Sequence, residues 1–188
     1  MRGLVVPSLT TERLILEPLG LAHSAGMFAM WSQPEVCRHS GPGFDLGGRP
    51  IRLPAEIPDD SDKIIVFFLK GAADGERFRW AMLRRTDGAF VGAVGFNSLG
   101  PCSELAYHQR AEFWGQGLMR EAAHAALDWL RRRPDAVEVE AFIDPANRAS
   151  VQLAERLGLR ATGETSDGAQ RHLRALEAPP SDAPLSSP

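Results

Sequence analysis

Apolar and polar residues alternate from Glu12 to Leu19, with Leu14 and Leu16 on one side and Arg13, Ile15 and Glu17 on the other. That period predicts a strand, and Pro18 suits its end, where a strand leaves a sheet. Leu21, Ala25, Phe28 and Trp31 then recur at helical spacing and predict a short helix. Residues 38–58 hold four glycines and four prolines and read as an irregular loop. From Pro58 to Ala73 two readings stand. Asp59 to Asp62 favour a helix start through the dipole, whereas "IIVFFL" reads equally as a buried strand. Arg77 to Arg84 alternates again with Phe78, Trp80 and Met82 on one face; "TDG" at 86–88 turns the chain, and 89–99 returns as the second arm of a hairpin.

Ser103 to Gln109 makes a third strand of that group. The clearest helix is Gly117 to Arg131, with Met119, Ala122, Ala126 and Leu130 on one stripe and Arg120, His124 and Asp128 on another. A strand at 137–143 follows. Next comes a helix from Asn147 to Leu157 that turns Val151, Ala154 and Leu157 inward and stops at Gly158, a natural C′ glycine. Residues 159–165 and 171–177 complete a terminal hairpin. This order predicts an α/β fold: a single-domain sandwich with a mixed, twisted central sheet flanked by helices on both faces. The domain is expected over 10–177, after a lead at 1–9 and before a disordered tail at 178–188, "APPSDAPLSSP".

Charge narrows the partners. With 21 basic and 24 acidic residues and a net charge of −3, no basic stripe announces nucleic acid or an anionic membrane. Two cysteines are too few for a disulfide framework, so a reducing, cytoplasmic setting is expected. No signal peptide is read at the start, and the longest apolar run, Ile64 to Leu69, falls far short of the roughly 20 residues that span a bilayer. No metal-ligand spacing is visible, and neither Cys37 nor Cys102 has a convincing histidine partner for nucleophilic work.

The chemistry-bearing stretch is "AEFWGQGLMREA", 111–122. A strand ending at Gln109 feeds a short loop, and a helix opens near Gly117. Its first amides lack partners inside the helix and, with the dipole, suit an anion such as a phosphate. Gly115 and Gly117 remove side chains that would block the approach. Alone, such a loop is as readily a simple turn.

The wider block "ELAYHQRAEFWGQGLMREAAHAALDWL" resembles the Gcn5-related N-acetyltransferase (GNAT) superfamily, in its ribosomal-protein-acetyltransferase-like branch. Glu104, Leu105, Tyr107, Phe113, Trp114, Gly115, Gly117, Glu121 and Ala122 fall at matching positions. "TTERLILEPL" near the start and "DPANRASVQLAERLGLRATG" at 144–163 extend the resemblance over about 10–177. It implies acetyl-coenzyme A as cosubstrate, with no metal, bound against Tyr107, His108 and Gln109 where strands 103–109 and 137–143 splay. The pyrophosphate is expected on the amides of Trp114, Gly115, Gln116, Gly117, Leu118 and Met119, with Arg120 adding positive charge. Asn147 is expected to hold the cofactor arm or the splayed strand; on its residue type alone it is a helix N-cap, and the two roles can coexist.

Acetyl transfer to an amine needs a neutral nucleophile, an oxyanion donor and a proton for the departing thiolate. The tyrosine that many members use as acid is absent, since Ala154 stands in its place. Ser150 is the substitute acid, against a plain reading as the third residue of its helix. Glu104 is the base, directly or through water, because the branch places a glutamate on this strand; its bland alternative is a solvated or ion-paired side chain. His108, where the branch has tryptophan, is a second base or a structural histidine. Glu112 sets a negative charge near the pyrophosphate unless it points outward. The resemblance implies a primary amine as acceptor, held between the first helices and the terminal hairpin with the 38–58 loop as part of the wall, in a monomer or homodimer. The competing reading is a coenzyme A-binding module whose chemistry has decayed.

Overall fold

The computed structural model describes residues 3–177. One eight-stranded sheet runs in the order β1-β2-β5-β6-β7-β8-β10-β9. Its strands are β1 (Leu9–Thr10), β2 (Leu14–Pro18), β5 (Phe78–Arg84), β6 (Phe90–Ser98), β7 (Cys102–Gln109), β8 (Glu138–Ile143), β9 (Arg160–Ser166) and β10 (Ala169–Ala175). Neighbours are antiparallel except β7 and β8, which are parallel. A separate two-stranded hairpin, β3 (Gly43–Phe44) and β4 (Pro50–Ile51), orders part of the region expected to be an irregular loop.

The strand pattern builds two cores. Even-numbered β2 and β5 residues, among them Leu14, Leu16, Phe78 and Trp80, face α4 (Leu118–Leu130) and α5 (Arg148–Arg156). Here Phe78, Trp80, Phe96 and Trp129 form an aromatic cluster, with Phe78 and Trp80 edge to face at 4.5 Å. On the opposite face Ala81 and Ala93 meet Met27, Met30 and Trp31 of α1 (Ser24–Trp31), Val36 of α2 (Pro34–Cys37), and Ile64 and Ile65 of α3 (Pro58–Asp74). Helices therefore cover both faces, as the pattern predicts.

Segment 58–74 resolves as a helix. Ser61, Ile64, Ile65 and Gly71 follow the i, i+3, i+4 rule and are buried. The apolar run hid that period because Phe67 and Leu69 are also apolar yet lie off the core face; Phe67 instead meets Phe44 and the Arg77 guanidinium. In the first helical segment the buried stripe is shifted from the predicted one. Leu21 is exposed, because residues 21–23 form a 3₁₀ turn, whose tighter winding breaks the α-helical register.

Residues 4–9 of the expected lead are tied into the domain, while the expected tail at 178–188 lies outside the described residues. The Leu4 amide donates to the Ala72 carbonyl at 3.0 Å, and the Trp80 indole donates to the Pro7 carbonyl at 2.7 Å. Glu121 of α4 then fastens the first strands: it accepts from the Thr11 hydroxyl (2.6 Å), the Arg13 amide (2.7 Å) and the Arg13 Nε (2.7 Å). Burial alone would raise the Glu121 carboxyl, but these donors outweigh it and hold it below its ordinary value of 4.5. A lowered folded value stabilises the fold above about pH 4.5 and loses that contribution as the pH falls through it. Glu121→Gln is therefore expected to cost about 2 kcal/mol near neutral pH, with the gap to the wild type closing in urea titrations below about pH 4. A pH-independent difference would contradict this account.

Candidate active site

The parallel pair β7–β8 is short. Its register covers only Cys102↔Glu138, Ser103↔Val139 and Glu104↔Glu140. Beyond Glu104, β7 continues on β6 as far as Gln109, and β8 continues on β10 as far as Ile143, so the two strands part. A V-shaped gap opens in the middle of the sheet, closed at Glu104 and Glu140 and wide toward Gln109 and Ile143. Its banks carry main-chain groups that have lost a neighbouring strand, which suits a ligand bearing amides. This is the splay that the resemblance implies.

At the wide end β7 runs into the 3₁₀ turn 111–113 and then into α4. Gly115 and Gly117 have φ of 74° and 75°, the left-handed region that L-residues rarely adopt. Gly117 is the N-cap of α4 and supplies no side-chain cap, so the first amides of the helix stay free for an anion. A Cβ on Gly115 would meet nothing within 4 Å, which leaves open space above the loop. The loop is held from beneath: Arg13 Nη1 donates to the Gln116 carbonyl at 2.9 Å, and the Gln109 side chain donates to the Phe113 carbonyl at 2.5 Å. Trp114 is half exposed with its indole N–H fixed on the Gln109 carbonyl at 2.9 Å. Leu118 and Met119 are buried, so only their backbone faces the cradle, while Arg120 is exposed at the helix front. Glu112 does not point into the cradle. Its carboxylate is paired with Arg110 and accepts from Gln33 Nε2 at 3.0 Å, and these contacts, Gln33 foremost, hold it below its usual value.

Successive β7 side chains take opposite faces. Leu105 and Tyr107 lie on the α4–α5 side. The Tyr107 hydroxyl donates to the Ser150 carbonyl at 3.3 Å, and burial pushes its phenol up to about 12. Asn147 caps α5, accepting from the Ser150 amide at 3.2 Å, which makes Ser150 the third residue of that helix. Both bland readings of these residues are thus present in the structure, and the Ser150 hydroxyl itself is bound to no group among the described residues. Ala154, at the place of the usual tyrosine, is part of the core.

Glu104 and His108 share the other face. Glu104 accepts from Asn97 Nδ2 at 2.6 Å, and Asn97 in turn accepts from the buried Arg79. Burial lowers the Arg79 guanidinium to about 9 although Glu104 opposes the shift, and the guanidinium rests 4.2 Å from the centre of the Phe68 ring. His108 packs on Trp31 with ring centroids 4.4 Å apart; desolvation and the Arg79 charge press its imidazole down to about 3. It is a neutral ring and a weak proton acceptor. Across the V, Glu140 is paired with Arg171 at 2.6 Å.

The sequence did not single out Arg13, which holds the Gln116 carbonyl, or Gln33, which holds Glu112, although "TTERL" contains the first. The thiols are poor nucleophiles: burial, then Glu35, raises Cys37 to about 11, and burial likewise raises Cys102. No group of three or more His, Cys, Asp or Glu residues that could hold a metal occurs among the described residues. No helix among them is long and apolar enough to cross a membrane.

The sheet is thus split between two parallel strands, with a glycine cradle at the wide end of the split. The family model described as acetyltransferase (GNAT) domain matches residues 13–160, and the chain belongs to that family of acetyl-CoA-dependent acyltransferases. The uncharacterized N-acetyltransferase p20 of Bacillus licheniformis is 24% identical over 163 residues, 85% of this chain and 86% of the relative. An acetyltransferase structure from Agrobacterium tumefaciens str. C58 superposes with a TM-score of 0.70 at 24% identity, covering 90% of this chain and 95% of that one. The ribosomal L7/L12 alpha-N-protein acetyltransferase RimL, solved in complex with coenzyme A, shares the fold with a TM-score of 0.76 at 16% identity, over 92% of this chain and 100% of its own.

Proposed function

We propose that this chain transfers the acetyl group of acetyl-coenzyme A to a primary amine by direct attack in a ternary complex. The carrying observation is the V between β7 and β8 running into the Gly115–Gly117 cradle, which accommodates a long amide-bearing arm ending in a pyrophosphate. Bound there, acetyl-coenzyme A supplies an activated acetyl thioester. The amides of Gly115 to Met119 hold the pyrophosphate, with Arg120 alongside; the Trp114 amide, expected from the sequence to join them, is instead bonded to the Ala111 carbonyl at 3.1 Å. The main chain of Tyr107, His108 and Gln109 lines one bank for the arm. Asn147 fixes the turn at the other bank while capping α5.

An arm anchored at the wide end points its thioester toward the closed end, where Glu104 lies. Glu104 takes the proton of the incoming ammonium, directly or through water, and the Asn97–Arg79 chain fixes its carboxylate. The Ser150 hydroxyl, in the first turn of α5, is the donor toward the leaving sulfur. We place the chain in the ribosomal-protein-acetyltransferase-like branch, with a protein N-terminus or a small-molecule amine as acceptor and the cytoplasm as its setting. The acceptor enters on the α1–α3 face. A cleft of about 430 Å³ there, bordered by Cys37, Ser40 and the segment Pro50 to Leu53, lies in the 38–58 region.

Thiol release from acetyl-coenzyme A in the presence of an amine panel tests the proposal. Coenzyme A binding with no turnover on any amine would favour a decayed binding module. Glu104→Gln is expected to lower kcat at neutral pH about a hundredfold while coenzyme A affinity in calorimetry is kept. An unchanged rate between about pH 6 and 9 would remove Glu104 as the base.

A further inference from the structure

The segment from Trp31 to His39, the end of α1 with α2, touches both banks of the V and the cradle loop. At the β7 bank Trp31 packs on His108. At the loop Gln33 accepts from the Ala111 amide at 2.9 Å and donates to Glu112 at 3.0 Å. At the β8 bank the His39 ring bonds Asp144, the residue after Ile143, through Nδ1 and Oδ2 at 2.7 Å. Asp144 is held below its ordinary value, first by the Ala146 amide and then by His39, so it is a carboxylate that only accepts. His39 Nδ1 therefore carries the proton of this bond.

β7 and β8 have no pairing with one another beyond Glu104↔Glu140. A segment tied to His108, to Ala111 and to Asp144 must cross the gap at its wide half. It does so on the face of His108, opposite the face on which Tyr107 reaches Ser150. The V is thus a slot with a floor of α4 and α5 and a strap over it. The strap also carries an unused donor: the Trp31 indole N–H is buried with no partner among the described residues, which suits an acceptor group arriving with a ligand. Asp144 joins the strap to the catalytic side, because its other oxygen holds the Ala146 amide at 2.8 Å in the turn that leads to Asn147.

We infer that His39 and Gln33 are positioning residues for the acetyl donor: their clasps on Asp144 and on the Ala111–Glu112 turn hold the 31–39 strap across the slot and confine the arm of coenzyme A beneath it. The inference rests on the reading of the V as the donor site. Three anchors spread over the nine residues 31–39 leave the strap little freedom, so its closure is set before the ligand arrives and the ligand need not order it.

Calorimetry with coenzyme A alone, on wild type, His39→Ala, His39→Asn and Gln33→Ala, tests this. His39→Ala and Gln33→Ala are each expected to weaken coenzyme A about tenfold, the scale of one charge-assisted hydrogen bond. His39→Asn, whose amide reaches Asp144 from the place of ring Nδ1, is expected to stay within about twofold of wild type. In steady state the KM for acetyl-coenzyme A should rise more than kcat falls, and hydrogen exchange of the 33–39 amides in the free protein should quicken in His39→Ala and stay slow in His39→Asn. Wild-type affinity in His39→Ala, or His39→Asn as weak as His39→Ala, would overturn the clasp while leaving the donor site standing. A wild-type chain that does not bind coenzyme A would overturn both.

Discussion

Gly117→Trp is expected to abolish coenzyme A binding. At φ of 75° a side chain is strained before it meets anything, at a cost of about 1 kcal/mol. That cost alone would leave a folded protein. The larger effect is local, because a Cβ at this position lies 3.6 Å from Arg13 Nη2 and an indole projecting from it occupies the ground in front of the first α4 amides. Calorimetry should show affinity lowered at least about a thousandfold, with the circular dichroism of the wild type retained. Gly115→Ala, which has open space for its Cβ, separates strain from obstruction and should lose no more than about tenfold. Unchanged binding by the tryptophan variant would remove the pyrophosphate from this cradle.

The largest loss of stability is expected from Trp80→Ala. Trp80 is fully buried between Phe78, Phe96 and Trp129, and its indole N–H holds the Pro7 carbonyl. Truncating such a ring costs about 3–5 kcal/mol in lost transfer energy and cavity, a large share of the about 5–15 kcal/mol that a domain commands. The same change frees the Pro7 segment, so hydrogen exchange near residues 4–9 should rise with the fall in the urea midpoint. A loss below about 1 kcal/mol would mean that the aromatic cluster repacks around the gap.

Much of the sheet was legible because large apolar residues alternate with polar or small ones along its strands, as in Leu14 and Leu16 or Phe78, Trp80 and Met82. The α4 stripe and the Gly158 stop were equally plain, and Gly158 does adopt a left-handed φ of 84°. Segment 58–74 stayed ambiguous because apolar residues on its outer side masked the helical period. The α2 turn and the β3–β4 hairpin were illegible for another reason: four- and two-residue elements carry no period to read. At the site, the glycine loop opening a helix was legible in "FWGQG", while the splay was expected only through the family resemblance that this stretch and its flanking blocks carry. Glu121, matched only as part of a motif, proves to be the clamp on the first strands. Gln33 and His39 gave no signal, since their partners lie 78 and 105 residues away and only tertiary folding brings them together. Glu112 looked like a charge set against the pyrophosphate until its partners Arg110 and Gln33 were seen.

The placement of the tryptophans has an optical consequence. Trp31 and Trp80 are buried and Trp129 lies within the aromatic cluster, whereas Trp114 stands half in water on the cradle loop, its ring held by the Gln109 carbonyl. Red-shifted emission from this chain therefore comes from a fluorophore mounted beside the glycine loop proposed to cradle the phosphates, and its quenching is expected to report occupancy there without any label.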